Sequence, residues 1–205
     1  MMFNWETFEP DEYSRGETPS FVDLTERSYI TATGHATDHT ADESFLALAR
    51  AAAAVAKTIS GGPETDIPVK NFKGYVPYPV QAVWQPAGDG EDFKIWIKQP
   101  LFIDEAAFNA AIKKTDLGDV SADQIHFEHL AEGIEIQTIS NGPVTVDGKA
   151  AARLNAAIKV GGFKRLHEDT HREVYIDGLP LTASKQVILR FEIDPNGAVL
   201  DMVHN

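Results

Sequence analysis

The sequence predicts an α+β protein made of two pseudo-symmetric β-α-β-β repeats with a central ligand cleft. Three observations carry this. Phe45, Leu48, Ala49, Ala52, Val55, Ala56 and Ile59 recur at helical spacing and are stopped by Gly61-Gly62-Pro63. Phe93–Lys98 alternates strictly, with Phe93, Ile95 and Ile97 on one face and Lys94, Trp96 and Lys98 on the other. The order strand, helix closed by Gly-Gly, strand, strand occurs once in each half of the chain, the pattern of an internal duplication.

Composition narrows the function classes. The 205 residues hold 18 basic and 31 acidic side chains, a formal charge of −13, which disfavours nucleic acid and anionic lipid as partners. Cysteine is absent, which excludes disulfides, thiolate nucleophiles and Cys-based zinc sites. Met1–Glu6 has no basic region followed by an apolar run, so it does not read as a signal peptide. No apolar stretch approaches the roughly 18–20 residues of a membrane span. A cytoplasmic location follows by default.

Residues 1–26 read as an acidic arm, with seven acids, one base (Arg15) and aromatics that dock locally. Residues 27–115 form the first repeat and a connecting helix, and residues 116–205 the second repeat. Ser28–Gly34 is a strand ending at glycine. Thr40-Ala-Asp-Glu43 has the form of a capping box for the helix that follows. Tyr78–Trp84 is a strand entered past Pro77 and Pro79, and Ala87–Gly90 turns into the alternating strand. Asp104 caps a short helix carrying Phe108, Ala111 and Ile112, and residues 116–123 read as a linker. Ile125–Leu130 and Gly133–Ser140 suggest a hairpin around Glu132-Gly133. A helix over 147–159 ends at Gly161-Gly162, and His171–Asp177 and Gln186–Ile193 are strands. Two such units side by side leave a crevice between their sheets, a usual place for a small molecule.

Several short motifs lack the context their chemistry needs. His167-Glu-Asp-Thr-His171 is H-E-x-x-H, but it runs from a glycine stop straight into a strand, with too little chain for the helix that a zinc protease requires. The pairs His35/His39 and His126/His129 read as surface histidines rather than metal half-sites. No phosphate cradle and no G-x-S-x-G elbow is present. The reading therefore assigns no metal and no cofactor. The strand from His171 is more informative. Alternation puts His171, Glu173, Tyr175 and Asp177 on one face, with Val174 and Ile176 expected to pack on the helices and Glu173 and Tyr175 to face away. Tyr75, Tyr78, Trp84 and Trp96 supply aromatic walls, and such walls around one carboxylate suit a flat or cationic ligand.

Four segments come in the order found in GyrI-like small-molecule-binding proteins. They are Phe72-Lys-Gly-Tyr75-Val-Pro-Tyr78-Pro79-Val-Gln81-Ala-Val-Trp84, Ile95-Trp-Ile-Lys-Gln99-Pro100, Glu135-Ile-Gln137-Thr-Ile-Ser-Asn-Gly142-Pro143, and Thr170-His171-Arg172-Glu173-Val174-Tyr175-Ile176. The chain resembles that family over roughly residues 18–195. The resemblance implies two repeats of the SHS2 type around a concave ligand cleft, together one GyrI-like domain. It also implies a stand-alone member, because no DNA-binding segment of the kind fused to such domains in MerR- and AraC-type regulators precedes it. In those regulators a Glu at the position matching Glu173 contacts lipophilic cations. Some stand-alone members detoxify cyclopropane-containing alkylating compounds by hydrolysis, with an acid and cleft aromatics that match Glu173, Tyr175 and Trp84. Two departures stand out. Gln81 replaces a Glu frequent in relatives, and Val144 replaces an aromatic at the cleft mouth.

The sequence reading is thus a binding protein for aromatic, lipophilic or cationic small molecules. Tyr75, Tyr78, Trp84, Trp96, His171, Glu173 and Tyr175 are its candidate ligand contacts. The alternative is a cyclopropane hydrolase with Glu173 as acid/base and Tyr175 assisting. Nucleic acid and membrane are not expected partners, and a homodimer is allowed.

Overall fold

In chain order the elements are α1 (Trp5–Phe8), β1 (Ser20–Leu24), β2 (Arg27–Ala36), α2 (Glu43–Gly61), β3 (Gln81–Ala87), β4 (Gly90–Gln99), α3 (Glu105–Ile112), β5 (His126–Leu130), β6 (Gly133–Asn141), α4 (Lys149–Gly161), β7 (Lys164–Arg165), β8 (His171–Val174) and β9 (Gln186–Asp194). They come from a computed structural model that describes residues 2–198 and residue 200. The last residues assigned to the second repeat, 201–205, lie outside the described residues. No helix among the described residues is long and apolar enough to cross a membrane.

The two repeats are β2-α2-β3-β4 and β6-α4-β8-β9. Their strands join in one antiparallel sheet of order β1-β6-β9-β8-β3-β4-β2-β5, with β7 pairing β9 off this path. The junction is β3 against β8, the corresponding strands of the two repeats. The repeats therefore do not leave a crevice between separate sheets. Any cleft lies on one face or the other of a continuous sheet. The expected hairpin between residues 125 and 140 is also absent, because β5 pairs β2 whereas β6 pairs β1 and β9. Gly133, at φ +85°, bends a strand ribbon here rather than reversing it. Residues 20–36 and 126–141 run together through that bend, which draws the two ends of the strand path together.

The helices cover one face. On α2, Phe45, Leu48, Ala52, Val55, Ala56 and Ile59 are buried against Ile30, Ala32, Ile95 and Ile97. On α4, Ala150, Ala151 and Leu154 pack on Ile136, Leu189 and Phe191. Gly62 (φ +51°) and Gly162 (φ +70°) terminate them, as the Gly-Gly pairs predict. The start of α2 differs from the expected capping box. Its N-cap is Asp42, whose carboxylate accepts from the backbone N–H of Ser44 at 2.9 Å and of Thr37 at 2.8 Å, while Thr40 sits buried in a preceding 3-10 turn. Asp104 caps α3 as expected and accepts from the N–H of Ala107 at 2.9 Å. Asp104→Ala should lower stability by about 1 kcal/mol, read from a denaturation midpoint. A change within error would mean that the cap is redundant with packing of Phe108. The strand expected over 78–84 is paired only from Gln81, because Pro77 and Pro79 bring no N–H to a ladder.

The opposite face is buried as well, by polar groups. Cross-strand neighbours place Tyr29, Trp96, Lys98, Gln81, Arg172, Arg190 and Gln137 on this side. The N-terminal arm lies over them rather than standing in solvent. Lys98 Nζ donates to both carboxylate oxygens of Glu12 at 3.0 and 2.8 Å, Arg190 donates to the Glu12 carbonyl at 2.6 Å, and Gln137 to the Asp11 carbonyl at 2.7 Å. Trp5 and Tyr13 are buried there, their rings 4.7 Å apart.

Candidate functional site

Pairing of β3 with β8 sets Ala82 opposite Glu173 and Trp84 opposite His171, so these side chains share the helix side of the sheet. From α2, Phe45 packs on Trp84 and Tyr175, with ring centroids 4.8 and 5.8 Å apart. Trp84 Nε1 donates to the Tyr175 hydroxyl at 2.9 Å. His39 enters from the turn before α2 with a backbone φ of +45°, a left-handed conformation that His tolerates better than most residues. Its ring lies on Trp84, 4.0 Å between centroids.

His39 and His171 meet at one atom. Nε2 of His39 and Nε2 of His171 donate to Oε1 of Glu173 at 2.9 and 3.0 Å. On its other side, His39 Nδ1 donates to Glu91 Oε2 at 2.5 Å. Glu173 is wholly buried, and its second oxygen, Oε2, has no hydrogen-bond partner among the described residues. Burial pushes the Glu173 carboxyl up, but the hydrogen bonds and charges of His171 and His39 outweigh it and hold its pKa down at about 2. For His39, burial acts downward, and Glu173 together with Glu91 outweighs it, so its pKa is raised. Tyr175 is pushed far up by burial and by the Glu173 charge. The arrangement is therefore a carboxylate clamped between two imidazoles, and its three ligand atoms lie within 4.8 Å of one another.

The imidazoles open onto a cavity of about 540 Å³ between the two repeats. Apolar side chains wall it, among them Pro86, Val144, Leu181, Leu189 and Phe191. Its rim carries Asp38, Glu91, Glu168 and Asp169 against one guanidinium, Arg165. His167-Glu-Asp-Thr-His171 is not helical. It is a turn leading into β8, and of its two histidines only His171 reaches the site, with Glu168 and Asp169 at the rim.

The residues singled out from sequence divide between the two faces. Trp84, His171, Glu173 and Tyr175 come together on the helix face. Trp96 lies on the other, with Tyr29 at 5.0 Å and the Arg172 guanidinium 4.4 Å from its ring centroid. Tyr78 also lies apart, its hydroxyl on Glu9 and Lys98 Nζ 5.0 Å from its ring centroid. Tyr75 donates to Gln99 and, with Tyr78, lines a separate cavity of about 310 Å³. Glu173 and Tyr175 face the helices, the reverse of the expected orientation. Polar partners on both sides let β8 bury Arg172 on one face and Glu173 on the other. Sequence reasoning missed His39, Glu91 and Phe45 as site members. His39 carried the only signal, as half of a spaced histidine pair.

The sequence matches no family model and no curated protein. Solved structures do resemble it. A hydrolase from Listeria innocua superposes with a TM-score of 0.79 at 18% identity, covering 94% of this chain and 100% of that one. An uncharacterized conserved protein from Listeria innocua gives 0.78 at 19% identity, covering 94% and 100%. The C-terminal domain of EcmrR gives 0.51 at 12% identity, covering 86% and 97%. At these identities the likeness is one of fold alone.

Proposed function

We propose that this protein binds a largely apolar, neutral or cationic small molecule in the cavity over His39 and His171. The carrying observation is the cavity itself. About 540 Å³ suits a drug-sized ligand, the walls are apolar, and the rim sets four carboxylates against one guanidinium. Glu173 acts on the ligand through the imidazoles it anchors rather than by direct contact. Trp84 beneath His39 makes intrinsic fluorescence a reporter of occupancy. The expected result is saturable quenching by a cationic dye, with weaker binding of a matched anionic dye. Glu173→Gln should weaken the cationic dye by about tenfold or more, since each tenfold is only about 1.4 kcal/mol. Unsaturable binding, or equal affinity for both dyes and both proteins, would sink this reading.

Hydrolysis of strained, cyclopropane-containing electrophiles is the second reading. It is favoured by two imidazoles that line the cavity while sharing one buried carboxylate. In this geometry His171, not Glu173, is placed to exchange a proton with a bound compound, because both ring nitrogens of His39 are held by carboxylates. Tyr175, buried behind Trp84, positions rather than reacts. A water adduct of a cyclopropane-bearing compound, detected by mass spectrometry and lost in His171→Gln, would separate turnover from binding.

A further inference from the structure

We propose that His39, His171 and Glu173 form a binding site for a divalent transition-metal ion of the zinc type. Two imidazole nitrogens and one carboxylate oxygen are the donor set of a three-ligand zinc centre, with a fourth position left open. The donors converge from two distant segments: His39 from the turn before α2, and His171 and Glu173 two residues apart on one face of β8.

The distances fit an ion with little movement. Zinc–ligand bonds of about 2.0–2.1 Å in a tetrahedron place neighbouring donors about 3.3 Å apart. The two nitrogens stand 2.9 and 3.0 Å from Glu173 Oε1, so those two edges need to open by about 0.3–0.4 Å, and the nitrogens themselves lie within 4.8 Å of each other. Rotation of three side chains supplies that.

Three further observations point the same way. Glu173 Oε2 is buried and has no hydrogen-bond partner among the described residues, so the carboxylate is free to turn either oxygen toward an ion. Glu91 holds Nδ1 of His39 while Nε2 faces the shared point, the carboxylate–histidine arrangement that supports metal-bound imidazoles. His39 takes a left-handed backbone conformation, and strain of this kind collects at functional sites. Because His39 and His171 both line the cavity, the open fourth position faces it and would accept water or a heteroatom of a bound molecule. The site stands on these residues whether or not the cavity takes an organic ligand.

The test is direct titration of chelator-treated full-length protein with Zn(II) by calorimetry, and with Co(II) by visible absorption. The expected result is one ion per chain, tetrahedral Co(II) bands, and a thermal midpoint that rises with Zn(II) and falls back with chelator. Glu91→Gln should weaken the ion by about 10- to 100-fold, and His39→Gln and Glu173→Gln by more. His39→Gln keeps a donor toward Glu173, so its fold can be checked by near-UV circular dichroism before titration. No stoichiometric binding by the wild type would overturn the proposal. So would binding that survives both His39→Gln and Glu173→Gln, which would place the ion elsewhere, for example at exposed His35 with Asp89 and Asp92. Dye binding measured without metal is independent of this result, so either proposal can fail alone.

Discussion

Glu132→Ala should cost about 3–5 kcal/mol, a large share of the total stability of a domain, with a matching fall in the denaturation midpoint. Glu132 accepts from the Tyr29 hydroxyl at 2.7 Å, from Gln81 at 2.8 Å and from Arg190 at 3.2 Å. Arg172 Nε stands 3.4 Å away and also donates to Glu135 at 3.0 Å. Burial opposes the charge on Glu132, but Arg172 and Arg190 outweigh it and hold its pKa below the usual carboxylate range. The truncation removes the acceptor at the centre of this group and leaves two buried guanidiniums facing one carboxylate. Glu132→Gln should cost less, because the amide oxygen still accepts from Tyr29. If Glu132→Ala lost under about 1 kcal/mol, water would have to enter and solvate Arg172 and Arg190, and the closed polar layer described here would be wrong.

That layer explains why Trp96, Arg172 and Arg190 line no open cleft between the repeats on the face opposite the helices. Lys98, Arg172 and Arg190 balance Glu12, Glu132 and Glu135, so charge neutrality there depends on the arm. Trp96 and Tyr78, aromatic walls in the sequence reading, are committed to this layer as surfaces for Arg172 and Lys98. Gln81 donates to Glu132. A further buried carboxylate at that position, in place of a neutral donor, would face Glu132 with no added cation.

What could be read in advance follows from what each signal measures. The stripe on α2 was legible because one face of that helix is buried, and periodicity reports one-sided burial. Alternation on β4 was legible for the same reason. On β8 alternation separated Arg172 from Glu173 correctly but could not say which faces the helices. Both faces of that strand are covered, and each polar side chain finds its partners in distant segments, Glu132 and Glu135 for one, His39 for the other. The repeats were visible as a pattern, whereas their joining through β3 and β8 depends on pairing between residues about 90 apart, which leaves no local trace. Glycine at 133 marked a change of direction, but the sequence could not distinguish a reversal from a bend in a continuing ribbon. His39 was hidden because its value lies in a turn geometry, not in spacing.

Trp84→Ala should be the costliest change on the helix face, about 3–5 kcal/mol, with the site lost along with the stability. Trp84 is wholly buried and touches three rings at 4.0–5.3 Å between centroids, His39, Phe45 and Phe93. Neighbouring side chains cannot fill an indole-sized void without leaving their own packing. His39 would lose the surface that holds its ring over Glu173, so dye and metal binding should fall together. Trp84→Phe separates the two effects. It keeps most of the volume but leaves the Tyr175 hydroxyl without its donor, a loss of about 1–3 kcal/mol for a buried polar group. With a ring still under His39, Trp84→Phe should remain folded and bind dye within a few-fold of the wild type. Equal loss of binding in Trp84→Phe and Trp84→Ala would mean that the indole N–H, acting through Tyr175, sets the site, rather than the stacking of the ring under His39.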